Sequence, residues 1–159
     1  MSFESRDFRD ALGVFATGVC VITASPEGGA PFGLTVNSFA SVSLDPPLIL
    51  WSLQNDSDMY GAFEQGRHWA VNILRGDQQD LSNQYARKGD HALDPGHFEI
   101  TASGMPVMPE SLVSFECEVE ARYPGGDHVI LVGRVLEMHH RASDSPLVFC
   151  AGSYAELAS

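Results

Sequence analysis

The sequence lacks any long apolar run and has few positive charges. No stretch of its 159 residues approaches the roughly 18 consecutive apolar residues of a membrane helix, and the opening segment MSFESRDFRD contains no apolar signal core. Nine Lys and Arg residues against 21 Asp and Glu residues give a formal net charge of -12. Because polyanions are bound by clustered basic side chains, we expect no nucleic-acid partner, no membrane association and a cytoplasmic location.

Metal ligands and familiar catalytic motifs are also scarce. Cys20, Cys117 and Cys150 lie far apart in apolar surroundings, which predicts small buried hydrophobic residues rather than disulfides or ligands. The adjacent His139 and His140 would point to opposite faces of a strand and could not bind one ion together, so we predict no metal site. The motifs GxGxxG, GxxxxGK[ST], GxSxG and HExxH are absent, which argues against nucleotide-binding, hydrolase and zinc-protease sites of those types.

The residues that are present predict one domain over 1–159. Hydrophobic residues make up 44% of the chain, enough for a core without disulfides or metals. Turn signals separate short strands, and the helical crossovers of a parallel sheet are missing. We therefore expect a mainly β, antiparallel, closed or nearly closed barrel with a few short helices. The predicted helices are 5–16, 55–66 and 78–88, the last capped by Asp77 and ended by Gly89, and the predicted strands are 19–24, 32–36, 47–53, 68–74, 114–121, 129–138 and 147–151.

One predicted strand alternates without error. Polar and apolar residues alternate at every position of SFECEVEA, residues 114–121. Such a pattern is typical of a strand with one face in the core and one in water. We expect the polar face, which comprises Ser114, Glu116, Glu118 and Glu120, to be solvated.

A polar stretch precedes the apolar strand 47–53. The segment FGLTVNSFASVSLDPPLIL, residues 32–50, places Ser, Thr and Asn side chains beside a strand that reads as fully buried. Short hydroxyl side chains suit the edge of a planar heteroaromatic ligand, which offers donors and acceptors while its face needs apolar cover. They also bond within turns, so a Ser/Thr-rich edge strand without a ligand stays an open alternative.

Several segments together resemble one known family. FATGVCVIT, GLTVNSFASVSLDPPLILWSL, WAVNIL, LSNQYA, GGDHVILVGRV and PLVFCAGSY occur in this order and cover nearly the whole chain. They are similar to the short-chain flavin reductases, the reductase components of two-component flavin monooxygenases. The resemblance implies an FMN-binding split barrel of Greek-key type and an NAD(P)H:flavin oxidoreductase. It also implies FMN or FAD as flavin, NADH or NADPH as hydride donor, a homodimer, and a separate flavin-dependent monooxygenase as partner.

The same resemblance assigns the flavin-binding residues. It implies that residues of the polar stretch border the flavin ring, and that the following strand reaches the ribityl chain. These residues are Thr35, Val36, Asn37, Ser38 and Ser41 for the ring and Ser52 and Leu53 for the chain. For the phosphate we expect the start of a helix near Ser57 and the cations Arg87 and Lys88. Asp58 departs from the family pattern, because a carboxylate beside a phosphate is unfavourable unless it turns away.

The nicotinamide side is assigned to the GGDH turn. The resemblance implies that His128 shapes hydride transfer there, with Gly126 and Asp127 forming the turn, and that Tyr154 closes over the flavin or nicotinamide. Hydride transfer between the two cofactors needs orientation rather than a protein nucleophile, which agrees with the missing catalytic triads.

Two other functions stay open at this point. The barrel could hold a flavin or a related planar ligand without turnover, in which case His128 would not affect reduction. It could also be a split-barrel oxidase of another planar substrate, as in the oxidases of pyridoxamine phosphate. Asp58 and the few basic residues make a phosphate-anchored substrate of that kind less attractive.

Overall fold

The computed structural model describes residues 2–27, 29–141 and 144–158. Within these ranges all strand pairs are antiparallel. No helix in the described ranges combines the length and the hydropathy needed to cross a bilayer. In chain order the elements are α1 (Ser5–Gly13), β1 (Thr17–Gly18), β2 (Cys20–Ala24), β3 (Phe32–Val36), β4 (Ala40–Leu44), β5 (Pro47–Gln54), α2 (Tyr60–Gln65), β6 (His68–Ile73), α3 (Gln79–Tyr85), β7 (Glu99–Ile100), β8 (Pro106–Val107), β9 (Val113–Gly125), β10 (His128–His140), β11 (Val148–Cys150) and β12 (Ser153–Ala155).

A seven-stranded sheet forms the body of the fold, with the order β3-β2-β6-β9-β10-β5-β4. Strands spaced about 4.8 Å apart would put the two edges of a flat sheet about 29 Å apart. Residues 37–39 alone connect the edge strands β3 and β4, and four extended steps span only about 14 Å. The sheet must therefore curl until its edges approach each other, which confirms the predicted antiparallel barrel.

Two smaller sheets accompany the barrel. One has the order β1-β11-β12 and the other pairs β7 with β8. Every strand predicted from the sequence is present, whereas β1, β4, β7, β8 and β12 were not predicted. Four of these five have only two or three residues, and the longer β4 is largely exposed, so none carries a clear apolar period.

The helices are shorter than predicted. α1 ends at Gly13, α2 begins only at Tyr60 because turns occupy most of 55–59, and α3 ends at Tyr85. Asp77 does not cap α3, since its carboxylate pairs with Arg75 at 2.8 Å and the helix begins without a side-chain cap.

The barrel interior is built from large aromatic and branched side chains. Trp51 and Trp69 are fully buried and meet edge to face at 5.8 Å between ring centroids. A Cβ on Gly133 would lie 2.7 Å from Cζ2 of Trp69, so only glycine leaves room for the indole ring. β2 is buried along its whole length because it also contacts a second cluster on its other face. That cluster comprises Val19, Val21, Leu74, Tyr85, Leu93, Met108 and Leu147.

The cysteine prediction is confirmed for two of the three residues. Cys20 and Cys117 are buried, and this burial raises the pKa of each thiol to about 12. Cys150 is partly exposed. In the described ranges no group of three or more His, Cys, Asp or Glu side chains is arranged to hold a metal ion.

The prediction of a solvated polar face on β9 is wrong for its first half. Ser114 and Glu116 are buried, because the segment 101–112 covers them. The Glu116 carboxylate accepts hydrogen bonds from Ser103 Oγ and from His139 Nε2, the latter at 2.8 Å. Burial alone would raise the pKa of Glu116, but the bonds from Ser103 and His139 outweigh it and hold that pKa below its usual value.

The buried carboxylate makes a pH-dependent contribution to stability. A lowered pKa in the folded state stabilises the fold above the ordinary Glu pKa, and this contribution is lost as the pH falls through the folded-state value. We expect Glu116→Gln to lower the free energy of unfolding by about 1–3 kcal/mol at neutral pH, since the charge-assisted bonds are lost. The difference from the unsubstituted protein should shrink in acid. Urea unfolding at several pH values measures both effects.

Glu118→Gln is the matched control. Glu118 lies two residues further along β9, is 41% exposed, and faces Arg67 only at 3.7 Å. Its substitution should change stability by less than about 1 kcal/mol. Equal effects of the two substitutions would contradict the role assigned to Glu116.

Candidate functional site

A cavity of about 230 Å³ lies beside the edge strand β3. It combines hydroxyl and amide groups on one side with apolar and aromatic groups on the other. Its lining residues are Val19, Thr35, Val36, Asn37, Ser82, Ala86, Phe149 and Tyr154. The structure thus brings together four residues that the sequence assigned to the flavin, Thr35, Val36, Asn37 and Tyr154.

A larger cavity, about 700 Å³, contains none of the predicted site residues. Its lining includes Glu27, Arg67 and His68, and it meets β3 only at Phe32. Size alone would favour this cavity as the ligand site. The motif residues and the mixture of polar and apolar groups favour the smaller cavity instead.

Three hydrogen bonds assemble the polar side of the smaller cavity. Thr35 Oγ1 donates to the carbonyl of Ser82 at 2.7 Å. The hydroxyls of Ser82 and Tyr154 are 2.8 Å apart, and Tyr154 donates to Oδ1 of Asn83 at 2.8 Å. With its own proton on Asn83, the Tyr154 oxygen accepts from Ser82. Residues of β3, α3 and β12 are thereby fixed around one space.

Ser82 is the residue that sequence reasoning missed here. Its side chain is completely buried, yet it lies on a helix whose first turn is polar. The signal was present in the LSNQYA segment, where a small hydroxyl residue occupies a helix position that faces the barrel. The apolar wall formed by Val19 and Phe149 had no comparable signal, since both belong to ordinary strand patterns.

The lining fits one edge and one face of a planar heteroaromatic ring. Thr35 already donates its proton, so its oxygen can only accept from a ligand. Asn37 is exposed and makes no side-chain hydrogen bond within the described residues, which leaves its amide able both to donate and to accept. Val19, Val36 and Phe149 supply apolar surface beside these groups. A flavin ring needs this combination.

Ser38, in the connection between the edge strands β3 and β4, is bonded to Ser52 on β5. Ser38 Oγ accepts the backbone N–H of Ser52 at 2.9 Å and lies 3.2 Å from the Ser52 carbonyl. The Ser38 hydroxyl is thus engaged with β5. Ser41 is exposed on β4, whereas the Leu53 side chain points into the barrel core and is 3% exposed. Only the backbone of Leu53 could therefore face a ribityl chain.

The residues predicted for the phosphate do not lie on helix ends. Ser57 precedes α2 by three residues, and its Oγ accepts the N–H of Met59 at 3.1 Å. Arg87 and Lys88 follow the end of α3 and are exposed. Gly89 does not end α3 as predicted, because the helix stops at Tyr85 with Ala86 as its C-cap; its φ of +79° belongs to the turn that follows. A helix dipole therefore does not favour phosphate binding at these positions. The features that still favour it are the charges of Arg87 and Lys88 and the hydroxyl of Ser57.

His128 begins β10 directly after the turn at Gly126 and Asp127. Its Nδ1 lies 2.7 Å from a carboxylate oxygen of Asp127, and this contact lowers the pKa of Asp127. Asn55 secures the turn from the neighbouring strand: its side chain donates to the Gly126 carbonyl at 3.1 Å and its backbone N–H to that of Asp127 at 2.9 Å. Sequence reasoning did not identify Asn55. The arrangement fixes the direction of the imidazole ring.

The barrel and the polar-rimmed cavity define a β-barrel protein with a candidate ligand site, and comparison with known proteins specifies the family. Residues 12–158 match the family described as "Flavin reductase like domain". The chain is 50% identical over 152 residues to "FMN reductase (NADH) SmoA" of Agrobacterium fabrum, a match that covers 95% of this chain and 85% of the relative.

Solved structures agree with this match. "Flavin reductase PheA2" superposes with a TM-score of 0.90 at 38% identity, covering 99% of this chain and 100% of the other. BorF, described as the flavin reductase component of a bacterial two-component tryptophan halogenase, superposes with a TM-score of 0.89 at 35% identity, covering 98% and 99%.

The chain belongs to the flavin reductase family. This confirms the resemblance seen in the sequence, the mainly β split-barrel fold, and the assignment as an enzyme that uses a flavin and a reduced nicotinamide. The roles of individual site residues stay predictions.

Proposed function

We propose that residues 1–159 act as one NADH-dependent flavin reductase domain that reduces FMN in preference to FAD and passes the reduced flavin to a separate monooxygenase. The observation that carries this proposal is the cavity beside β3, whose polar rim and apolar wall suit a flavin ring. The choice of FMN and NADH follows the printed function of the Agrobacterium relative. A separate partner follows the description of BorF as a reductase component.

In this proposal the cofactors supply the redox chemistry and the protein supplies position. Reduced nicotinamide provides the hydride and the flavin accepts it. Thr35 and Asn37 orient the ring edge, Val36 and Tyr154 cover its face, and the joined strands at Ser38 and Ser52 keep the rim rigid. Holding both reactants in a reactive geometry accounts for much of the rate of such transfers.

His128 is proposed to orient the nicotinamide. We expect His128→Ala to lower kcat/KM for NADH about tenfold or more while the Kd of FMN stays unchanged, because misplacing a reacting group slows transfer strongly. Loss of NADH absorbance with FMN, FAD and riboflavin in turn measures the rates, and flavin fluorescence measures the Kd.

His140→Ala is the control, since His140 is an exposed histidine at the other end of the same strand. Unchanged NADH oxidation in the His128 variant would contradict the role of His128. If FMN binds tightly, the variant changes no reduction rate and nicotinamide makes no difference, a binding module without turnover is favoured. Absence of flavin-dependent NADH oxidation in the unsubstituted protein would overturn the proposed function itself.

Arg87 and Lys88 are proposed to bind the flavin phosphate. A charge-assisted hydrogen bond contributes about 1.5–3 kcal/mol, so the double variant Arg87→Ala/Lys88→Ala should bind FMN at least about tenfold more weakly. Riboflavin has no phosphate, and its affinity should not change. Arg134→Ala is the control, because Arg134 is an exposed cation on β10 that bonds Glu120 on the neighbouring strand β9. Equal losses of affinity for FMN and riboflavin would contradict this role for the two residues.

We also propose a homodimer. In α1 no residue is buried, and its Phe8 and Leu12 are 51% and 59% exposed, while Phe15, two residues beyond the helix, is 79% exposed. An apolar helix face of this kind normally has a partner. The cavity is also smaller than the roughly 300–1,000 Å³ typical of ligand pockets, so a second subunit is expected to complete the flavin site.

Sedimentation tests the dimer. At micromolar concentration we expect a species of twice the 17.2 kDa chain mass. Phe8→Glu/Phe15→Glu should yield the monomer, because burying two carboxylates in an apolar interface is costly. Tyr123→Glu changes an exposed aromatic residue elsewhere and should leave the dimer intact. A monomer in the unsubstituted protein would contradict the proposal.

A further inference from the structure

Asp58 links the two segments that the proposed phosphate site requires. Its Oδ2 accepts the backbone N–H of Gly89 at 2.7 Å. Asp58 directly follows Ser57, and Gly89 directly follows Lys88. One hydrogen bond therefore joins the loop that carries the hydroxyl to the turn that carries the cations, across 31 positions of sequence.

The other carboxylate oxygen of Asp58 is tied to the barrel through His91. The distance from Asp58 Oδ1 to His91 Nε2 is 2.9 Å, and His91 is buried. Its Nδ1 lies 3.2 Å from the carbonyl of Gly33 on β3, and the Gly33 N–H donates to the His91 carbonyl at 2.8 Å. The Asp58 side chain is thus linked through His91 to the edge strand β3.

These contacts also bear on the electrostatic objection to a carboxylate beside the proposed phosphate site. Both ring nitrogens of His91 face oxygen atoms, Nε2 the Asp58 carboxylate and Nδ1 the Gly33 carbonyl. Burial raises the pKa of Asp58, but the Gly89 N–H and His91 outweigh this effect and hold the pKa below its usual value. The Asp58 carboxylate therefore turns toward Gly89 and His91.

Few other contacts hold the side chains of Arg87 and Lys88 in place. α3 ends at Tyr85, and the side chains of Arg87 and Lys88 make no hydrogen bond or ion pair within the described residues. The next residue, Gly89, adopts a φ of +79° and offers its N–H to Asp58. The course of the turn after α3 therefore depends on that bond.

We propose that Asp58 is a positioning residue for the flavin phosphate, which holds the Gly89 turn so that Arg87 and Lys88 converge with Ser57 on the same anion. The inference rests on the proposed function in one respect, the assignment of the phosphate to Arg87 and Lys88. It also gives a role to the position at which this sequence departs from its family.

The test compares FMN with riboflavin in three variants, each titrated by flavin fluorescence. Asp58→Ala removes the acceptor for Gly89 and should weaken FMN about tenfold, the loss of one well-made hydrogen bond, while riboflavin changes less than about twofold. Asp58→Asn keeps an oxygen that accepts from Gly89, so FMN affinity should stay within about threefold. Asp56→Ala removes the same charge from an exposed neighbour and should leave both affinities unchanged.

The direction of the FMN effect separates the proposal from its rival. If Asp58 only repels the phosphate, both Asp58→Ala and Asp58→Asn will bind FMN more tightly, and the proposal is overturned. Equal weakening of FMN and riboflavin also overturns it, because the effect would then be general to the fold. Thermal unfolding monitors each variant, and Asp58→Leu, which keeps the side-chain size without an acceptor, replaces Asp58→Ala if that protein does not fold.

The double variant Arg87→Ala/Lys88→Ala distinguishes the two levels of the hypothesis. If it shows no FMN-specific loss, the phosphate assignment fails and the role of Asp58 fails with it. If it shows the loss but Asp58→Ala behaves as the unsubstituted protein does, only the inference about Asp58 fails. When both hold, adding Asp58→Ala to the double variant should cost little more, because the three residues act through the same contact.

Discussion

The short connection between the two edge strands is the constraint on which the rest of the molecule depends. Because only residues 37–39 connect β3 and β4, these edge strands must lie close together, and the seven-stranded sheet therefore curls. The Ser38 hydroxyl in this connection then bonds the Ser52 backbone on β5. The polar stretch noticed in the sequence lies where the barrel closes, and the candidate site forms at the same place because unpaired edge groups and short side chains meet there.

Sequence patterns predicted the strands well where burial was uniform or one-sided. β2 and β3 were predicted almost to the residue, since their apolar character is set by the core. The acidic alternation of β9 misled because the segment 101–112 covers Glu116 and bonds it through Ser103, while His139 of β10 supplies a second bond. Periodicity reports which residues share a face, but it does not report what a loop from elsewhere in the chain will place over that face.

The candidate site could be predicted only where its residues are consecutive. Thr35, Val36 and Asn37 form one motif, and they line one cavity in the structure. Ser82 and Phe149 reach the same cavity from distant parts of the chain, so their place depends on tertiary packing. The Asp58–His91 pair illustrates the same limit, because the sequence showed a carboxylate beside the predicted phosphate site but not its partner 33 positions away.

The proposed flavin site combines a rigid rim with incomplete cover. Thr35, Ser82 and Tyr154 are fixed by mutual hydrogen bonds, so little side-chain entropy is lost when a ring binds. A cavity of about 230 Å³ cannot enclose a whole flavin, and the formal charge of -12 opposes a phosphate at long range. Selection of FMN over riboflavin must then come from a few local cations. Because those cations lie on an exposed turn, the bond that orders the turn matters as much as the charges themselves.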